Sequence, residues 1–236
     1  MSDDLPPDVS ELSIAILGGT GDQGRGLAYR FTRSGHHVLI GSREGSRGAA
    51  AASELGQLPG ADAGRITGGD NVSVSRSADL VIVAVPYDGH ARTVQAVREA
   101  VAGKIVVDCV NPLGFDKQGP YPLDVPEGSA AQQAATLLPD SRVVAAFHHV
   151  SAVLLADPRV DAVDTDVMVL GDDRAATDLV IALAGRVPGM RGVYAGRLRN
   201  ARQVEALTAN LIAINRRYKA HAGVRVTDIR TAVSDR

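Results

Sequence analysis

The segment Gly19-Thr20-Gly21-Asp22-Gln23-Gly24 follows directly on Ser13-Ile14-Ala15-Ile16-Leu17, an apolar run that reads as a buried strand. Residues 23–34 behind it read as a helix, with Gly35 as its stop. A strand that turns through glycines at this spacing into a helix has few paths open to it. Glycine lets the backbone turn tightly and approach a pyrophosphate, whose charge the helix N-terminus stabilises. A glycine-rich turn with no ligand is the plain alternative. The same alternation continues along the chain, with strands expected at residues 37–40, 80–85 and 104–108 and helices at 46–55 and 88–101. These strands are continuous apolar runs, which implies cover on both faces, as in a parallel sheet built from right-handed βαβ units. The expected fold is therefore α/β, a Rossmann-type doubly wound parallel sheet with a small C-terminal domain.

Residues 111–128 are rich in Pro and Gly and read as a loop. Ser129 with Gln132 forms a capping box that opens a helix to about residue 138. Further strands are expected at 142–147 and 166–170. Asn200 with Gln203 then opens a long helix carrying Val204, Leu207, Leu211, Ile214 and Tyr218 in a stripe, which calls for core packing or a dimer interface. With 236 residues and roughly 150 per domain, the length suits one domain and an appendage. The divisions expected are a disordered leader over residues 1–10, a Rossmann domain over 11–160 and a small C-terminal domain with the long helix over 161–236.

Composition removes several classes of function. Lys+Arg 25 against Asp+Glu 27 leaves no basic field for a phosphate backbone, and the absence of Trp leaves little for stacking bases, so nucleic acid is not an expected partner. The acidic, proline-bearing start has neither the basic nor the apolar stretch of a signal peptide, and every apolar run is broken short of membrane length. One cysteine fits a reducing cytoplasm, the expected location.

The end of the second strand bears on which dinucleotide fits. An NAD enzyme usually places Asp or Glu there for the ribose 2′-hydroxyl. Here the strand ends Ile40-Gly41-Ser42-Arg43, with Arg47 one turn on. A hydroxyl and two guanidinium groups suit a 2′-phosphate, so NADP(H) is expected; a solvated helix start is the alternative for the two arginines.

The run from Leu17 to Gly24, with Gly35-His36-His37-Val38-Leu39-Ile40-Gly41-Ser42-Arg43, resembles the F420-dependent NADP oxidoreductases, or NADPH-dependent F420 reductases. The likeness continues through Val83-Ala84-Val85-Pro86, Lys104 to Asp108, Ala146-Phe147-His148-His149 and Ala195 to Arg202, nearly the whole chain after residue 11. The glycine turn followed by Gly-Ser-Arg also occurs in some membrane metalloreductase domains. The resemblance implies a dimer whose small C-terminal domain supplies the cleft for the deazaflavin coenzyme F420. It places Gly19, Thr20, Gly21, Asp22 and Gln23 around the pyrophosphate and Ser42, Arg43 and Arg47 at the 2′-phosphate. It sets Pro86, Tyr87, Ala91, Leu113 and Ala152 along the nicotinamide half. Tyr87 and Ser151 stand where some members carry a larger aromatic residue and a proline.

Hydride transfer between two cofactors asks for positioning: nicotinamide C4 and deazaflavin C5 face to face at about 3–3.5 Å with water excluded. No nucleophile or metal is expected. His148 and His149 are the candidates for contacting the ring or shuttling the proton at N1, with a hydrogen-bonded strand-end histidine as the alternative. Cys109 reads as a small buried residue, and Asp108 and Asn111 as loop-fixing groups. The segment from Arg186 to Lys219 holds eight cations and one carboxylate, Glu205, a bias that suits either the anionic tail of F420 or a solvated surface. Three other readings stay open: an NADPH-dependent reductase of a flavin, quinone or ferric chelate, an NADP(H)-sensing binding protein, and a β-hydroxyacid or imine reductase using a lysine such as Lys104, Lys117 or Lys219.

Overall fold

The computed structural model describes residues 6–229. The first half contains β1 (Ser13–Leu17), α1 (Asp22–Arg33), β2 (His37–Ser42), α2 (Gly45–Gly56), β3 (Ile66–Asp70), α3 (Asn71–Ser77), β4 (Leu80–Val83), α4 (Tyr87–Val97) and β5 (Ile105–Asp108). Then come β6 (Leu113–Asp116), β7 (Gly119–Pro122), α5 (Ala130–Leu137), β8 (Arg142–Ala145) and α6 (Ala152–Ala156). The last part holds β9 (Thr165–Gly171), α7 (Arg174–Ala184), β10 (Met190–Gly196) and α8 (Ala201–Tyr218).

Eight strands form one sheet in the order β10-β9-β8-β5-β4-β1-β2-β3. Neighbours are parallel except β8 and β9, which are antiparallel. The chain moves outward from β1 through β2 and β3, then returns to β4 on the other side of β1 and continues through β5 to β8. This reversal opens a crevice at the carboxyl ends of β1 and β4, where open α/β sheets bind ligands.

The continuous apolar runs have the cause expected of them. Successive strand residues point to opposite faces, and both faces are covered. Ile14 and Ile16 of β1 join a buried cluster with Leu27 and Phe31 of α1, while Ala15 and Leu17 join one with Val94 of α4 and Ala134 of α5. Each large side chain buried this way is worth about 1.5–3 kcal/mol. Arg30 of α1 is also buried; its guanidinium donates to the carbonyls of Leu154, Leu155, Asp157 and Val160 and so fastens α6 to α1.

The boundary expected near residue 160 falls between β8 and β9, which are neighbours in the same sheet. Only Val144↔Gly171 and Ala145↔Leu170 pair there, so residues 165–169 run on past the last residue of β8, with β10 alongside. Buried Asp166 braces this extension. Arg191 donates to it twice, at 2.8 and 2.6 Å, Arg225 at 2.7 Å and the Val226 amide at 2.6 Å. Burial alone would raise its carboxyl; Arg191, Val226 and Arg225 together hold it at about 2.

Several expected elements differ. The stretch 111–128 is not all loop, because β6 and β7 form an antiparallel hairpin closed where Asp116 Oδ1 accepts from the Gln118 and Gly119 amides. β3 escapes an apolar-run reading because its sequence is ITGGD. There α2 and β3 approach so closely that a Cβ on Gly68 would lie 2.1 Å from the Gly48 carbonyl oxygen. β10 and helices α3, α6 and α7 were not anticipated either. β4 stops at Val83, and β8 at Ala145 rather than 147, since Phe147 adopts φ 64. Ser129 caps α5 through the Gln132 amide as expected, whereas Asn200 makes no side-chain cap and a 3₁₀ turn, Leu198–Asn200, leads into α8 instead. Of the leader, residues 1–5 lie outside the described residues, while Val9 is buried and its carbonyl accepts from the Leu12 amide.

Candidate active site

The glycine turn is built by its neighbours. Gly18 follows β1 with φ +79, and a Cβ there would lie 2.5 Å from the Ala84 carbonyl oxygen beyond β4. A Cβ on Gly24 would meet the Gly18 carbonyl oxygen at 2.6 Å, which holds α1 hard against the turn, and Gly19 is buried below. Gly21 differs, being exposed with no protein atom closer than 3.5 Å to its Cβ position. Its missing side chain leaves room outward, into the crevice. No side chain caps α1, so its first amides stay available to an anion, and exposed Asp22 stands beside them.

Two cavities flank this turn. One, of about 540 Å³, is walled by Gly18, Thr20, Ser42, Arg43 and Arg47 on one side and by Pro86, Gly89 and Arg92 of the α4 region on the other. Arg43, Arg47 and Arg92 make no ion pair among the described residues. Arg92 was missed in the sequence, where nothing marks a lone arginine on a helix; its only signal is its i, i+4 spacing from Asp88, another wall residue. Asn71 Oδ1 is buried in this wall with no protein partner.

The second cavity, about 610 Å³, lies beyond Gln23. Asn111, Ser151, Ala152 and Val153 form part of its wall, and Thr208, Leu211 and Asn215 of α8 form another. Lys219, at the left-handed end of α8 (φ 54), completes the rim. Asn111 Nδ2 and Thr208 Oγ1 both donate to the His148 carbonyl, while Asn111 Oδ1 is buried without a partner. The structure therefore separates the expected residues. Thr20, Ser42, Arg43, Arg47 and Pro86 face the first cavity and Gln23 and Ala152 the second. Tyr87, Ala91 and Leu113 line neither; Tyr87 and Leu113 are half-buried and Ala91 is exposed on α4.

His148 and His149 lie along the second cavity, but their rings are buried. Both ring nitrogens of His148 lack partners, and burial pushes its pKa down to about 4. His149 Nε2 accepts from the Met168 amide at 3.3 Å, and burial lowers it to about 4 as well. Both are neutral near pH 7. Of the basic segment, Arg191, Arg197 and Arg202 pair with Asp166, Asp172 and Asp124, and Arg186 donates to the Ser34 carbonyl. Glu205 is not a surface group, since it is buried and accepts from the Ala130 and Ala131 amides at the start of α5. The stripe on α8 splits: Val204 and Leu211 are buried, whereas Ile214 and Tyr218 are exposed. No described group of His, Cys, Asp and Glu could hold a metal ion.

Comparison with known proteins decides the family. The family described as NADP oxidoreductase, coenzyme F420-dependent, matches residues 13–112. The F420-dependent NADP reductase of Methanothermobacter thermautotrophicus is 37% identical over 226 residues, covering 94% of this chain and 97% of that protein. The chain belongs to the F420-dependent NADP oxidoreductase family. A solved structure from Arthrobacter sp. FB24, described as a candidate F420-dependent NADP reductase, covers 92% of this chain and 99% of its own with 29% identity and a TM-score of 0.76. A metalloreductase of Rattus norvegicus is 32% identical over 84% of this chain, but this family member spans only 37% of that protein's length. No described helix here is long and apolar enough to cross a membrane.

Proposed function

We propose that this protein transfers a hydride between NADP(H) and the deazaflavin coenzyme F420. The observation that carries the reading is the pair of cavities on either side of one glycine turn, in a chain that an F420-dependent NADP reductase matches over 94% of its length. The residues fit both cofactors. Three guanidinium groups and the Ser42 hydroxyl suit a 2′-phosphate, the space at Gly21 admits a pyrophosphate, and each cavity carries one buried amide oxygen without a partner. NADPH supplies the hydride and F420 takes it up, or the reverse.

In this reading Gly19, Thr20, Gly21, Asp22 and Gln23 form the pyrophosphate turn, and Ser42, Arg43, Arg47 and Arg92 bind the 2′-phosphate end. Pro86 of the first cavity and Ala152 of the second set the nicotinamide half, with Ala152 and Leu211 keeping water from its edge; Tyr87, Ala91 and Leu113 line neither cavity and are assigned to that half by the family likeness alone. Small and apolar side chains there do the work of placement, which is the larger part of what such a transfer needs. We assign His148 and His149 no proton transfer, because neutral buried rings are poor acids at pH 7. Arg199, Arg216, Arg217 and Lys219 are the cations left to attract the anionic tail of F420. Exposed Ile214 and Tyr218 on α8 are the contacts we assign to a homodimer, and we place the protein in the cytoplasm. The division into an NADP-binding unit and a smaller C-terminal unit around α8 is part of the same reading.

The test is anaerobic absorbance of the purified protein with NADPH and F420, with FMN and FAD in parallel. Bleaching of F420 well ahead of either flavin is the expected result. Turnover with flavins alone would move the acceptor to another class, and binding of NADPH with no turnover would leave a sensor.

A further inference from the structure

Next to Tyr87 lies a line of buried polar side chains that none of the roles above uses. His90 and Asp108 are both fully buried. His90 Nε2 lies 2.6 Å from Asp108 Oδ2, and His90 Nδ1 lies 2.9 Å from the Gln133 side-chain oxygen. The orientation of that amide is fixed at its other end, where Gln133 Nε2 donates to Glu127 Oε2 at 3.2 Å. Reversed, it would turn an oxygen toward a carboxylate. The second oxygen of Asp108 already accepts from the Val110 amide at 3.0 Å. A proton shared between a carboxylate and an imidazole rests on the imidazole, the more basic group. Both nitrogens of His90 therefore donate.

We propose that His90 is held as an imidazolium between Asp108 and Gln133, and that it is the positioning residue for Tyr87. The two rings lie three residues apart on the first turn of α4 and stack at 6.3 Å between centroids with 26° between planes. An ion pair sealed from water adds little stability over apolar side chains of the same size. What it adds here is a ring that cannot turn, and Tyr87 lies against that ring. The proposal rests on the reading that Tyr87 belongs to the nicotinamide half of the site.

The surrounding groups agree with a charged ring. Burial would lower the pKa of His90, but the charge and hydrogen bond of Asp108 and the bond to Gln133 outweigh it and raise it. Glu205 of α8 faces the same cluster; burial raises its carboxyl to about 7, against the pull of two amides and of His90. His148, also facing Asp108, is neutral. The Tyr87 hydroxyl is raised by burial and by Glu127, with Gln133 opposing.

The first test is nitrogen NMR of the full chain with labelled histidine at pH 7. Of the six rings, that of His90, identified by the loss of its signal in His90→Gln, is expected to carry protons on both nitrogens. A His90 ring protonated on one nitrogen only would overturn the proposal, whatever the variants do in kinetics. The second test is kinetic. His90→Gln should lower kcat about tenfold, as for a small misplacement of reacting groups, while KM for NADPH stays within about threefold. Gln133→Leu keeps the Asp108 pair, serves if the first variant does not fold, and should show the same split. Unchanged kcat in the folded variants, or a loss confined to KM, would remove the positioning role. If the unmodified protein fails to reduce F420, the assigned reaction falls, while the NMR result still decides the charge on His90.

Discussion

Gln23 Nε2 donates to the carbonyl oxygen of Phe147 at 3.1 Å, tying the first turn of α1 to the chain just past β8. Phe147 is buried at φ 64, a left-handed backbone that costs a bulky residue on the order of 1–2 kcal/mol. The bond fixes that turn, from which the chain passes along the second cavity. Gln23→Ala should lower stability by about 1 kcal/mol through the unpaired carbonyl, and should also reduce kcat/KM for NADPH. Denaturant midpoints and steady-state rates on the same preparation check both effects.

Gly21 and Gly24 belong to one motif but should fail differently. A methyl group at Gly21 meets only an ordinary contact, the Gly18 carbonyl oxygen at 3.5 Å, so Gly21→Ala should leave stability within about 0.5 kcal/mol and weaken NADPH binding. At Gly24 a methyl group strikes the Gly18 carbonyl, and Gly24→Ala should cost about 1–3 kcal/mol of stability. Thermal unfolding with and without NADPH separates the two cases.

Arg43→Ala should raise KM for NADPH and change the use of NADH little. A lost charge-assisted phosphate contact costs about 1.5–3 kcal/mol, or roughly 10- to 150-fold. Arg92→Ala should show the same selectivity with a smaller loss, about 1 kcal/mol. Equal losses with both nucleotides would take either arginine away from the 2′-phosphate.

Acid should destabilise the fold through His148 and His149. Both have a folded pKa near 4 against an ordinary 6.5, so the unfolded chain binds more protons between those values. Stability should rise with pH across that window, be complete above about 6.5 and be lost as pH falls toward 4, by on the order of 3 kcal/mol for each ring. Glu205, raised to about 7, works in the opposite sense and gives up stability as pH climbs from 4.5. Unfolding curves at pH 5 and 7 should show a weaker dependence in His148→Asn than in the unmodified chain.

The strands that could be read from sequence were those buried on both faces, because burial writes an apolar run: β1, β4 and β5 are of this kind. β3 could not, since its glycines answer to contact with α2 rather than to burial. The hairpin of β6 and β7 was hidden by Pro and Gly, which mark its turn and its edge alike. Ser42, Arg43 and Arg47 were legible because they sit on one strand–helix junction. Arg92 and His90 were not, since each matters only through residues brought to it by other strands. The α8 stripe predicted a covered face and could not show that the cover stops before Ile214.

The extension of β9 past β8 leaves five residues, or roughly 17 Å of strand at about 3.3 Å per residue, standing beyond the end of β8, where the Met168 amide donates to His149 in the wall of the second cavity. A boundary made this way is already ordered by its ladder to β10 and by Asp166 before any ligand arrives. A loop of equal reach would surrender on the order of 1–2 kcal/mol of backbone entropy for each residue it fixed on binding. On the proposed assignment of the second cavity, a cofactor enters and leaves on that side without folding and unfolding part of the chain in every cycle.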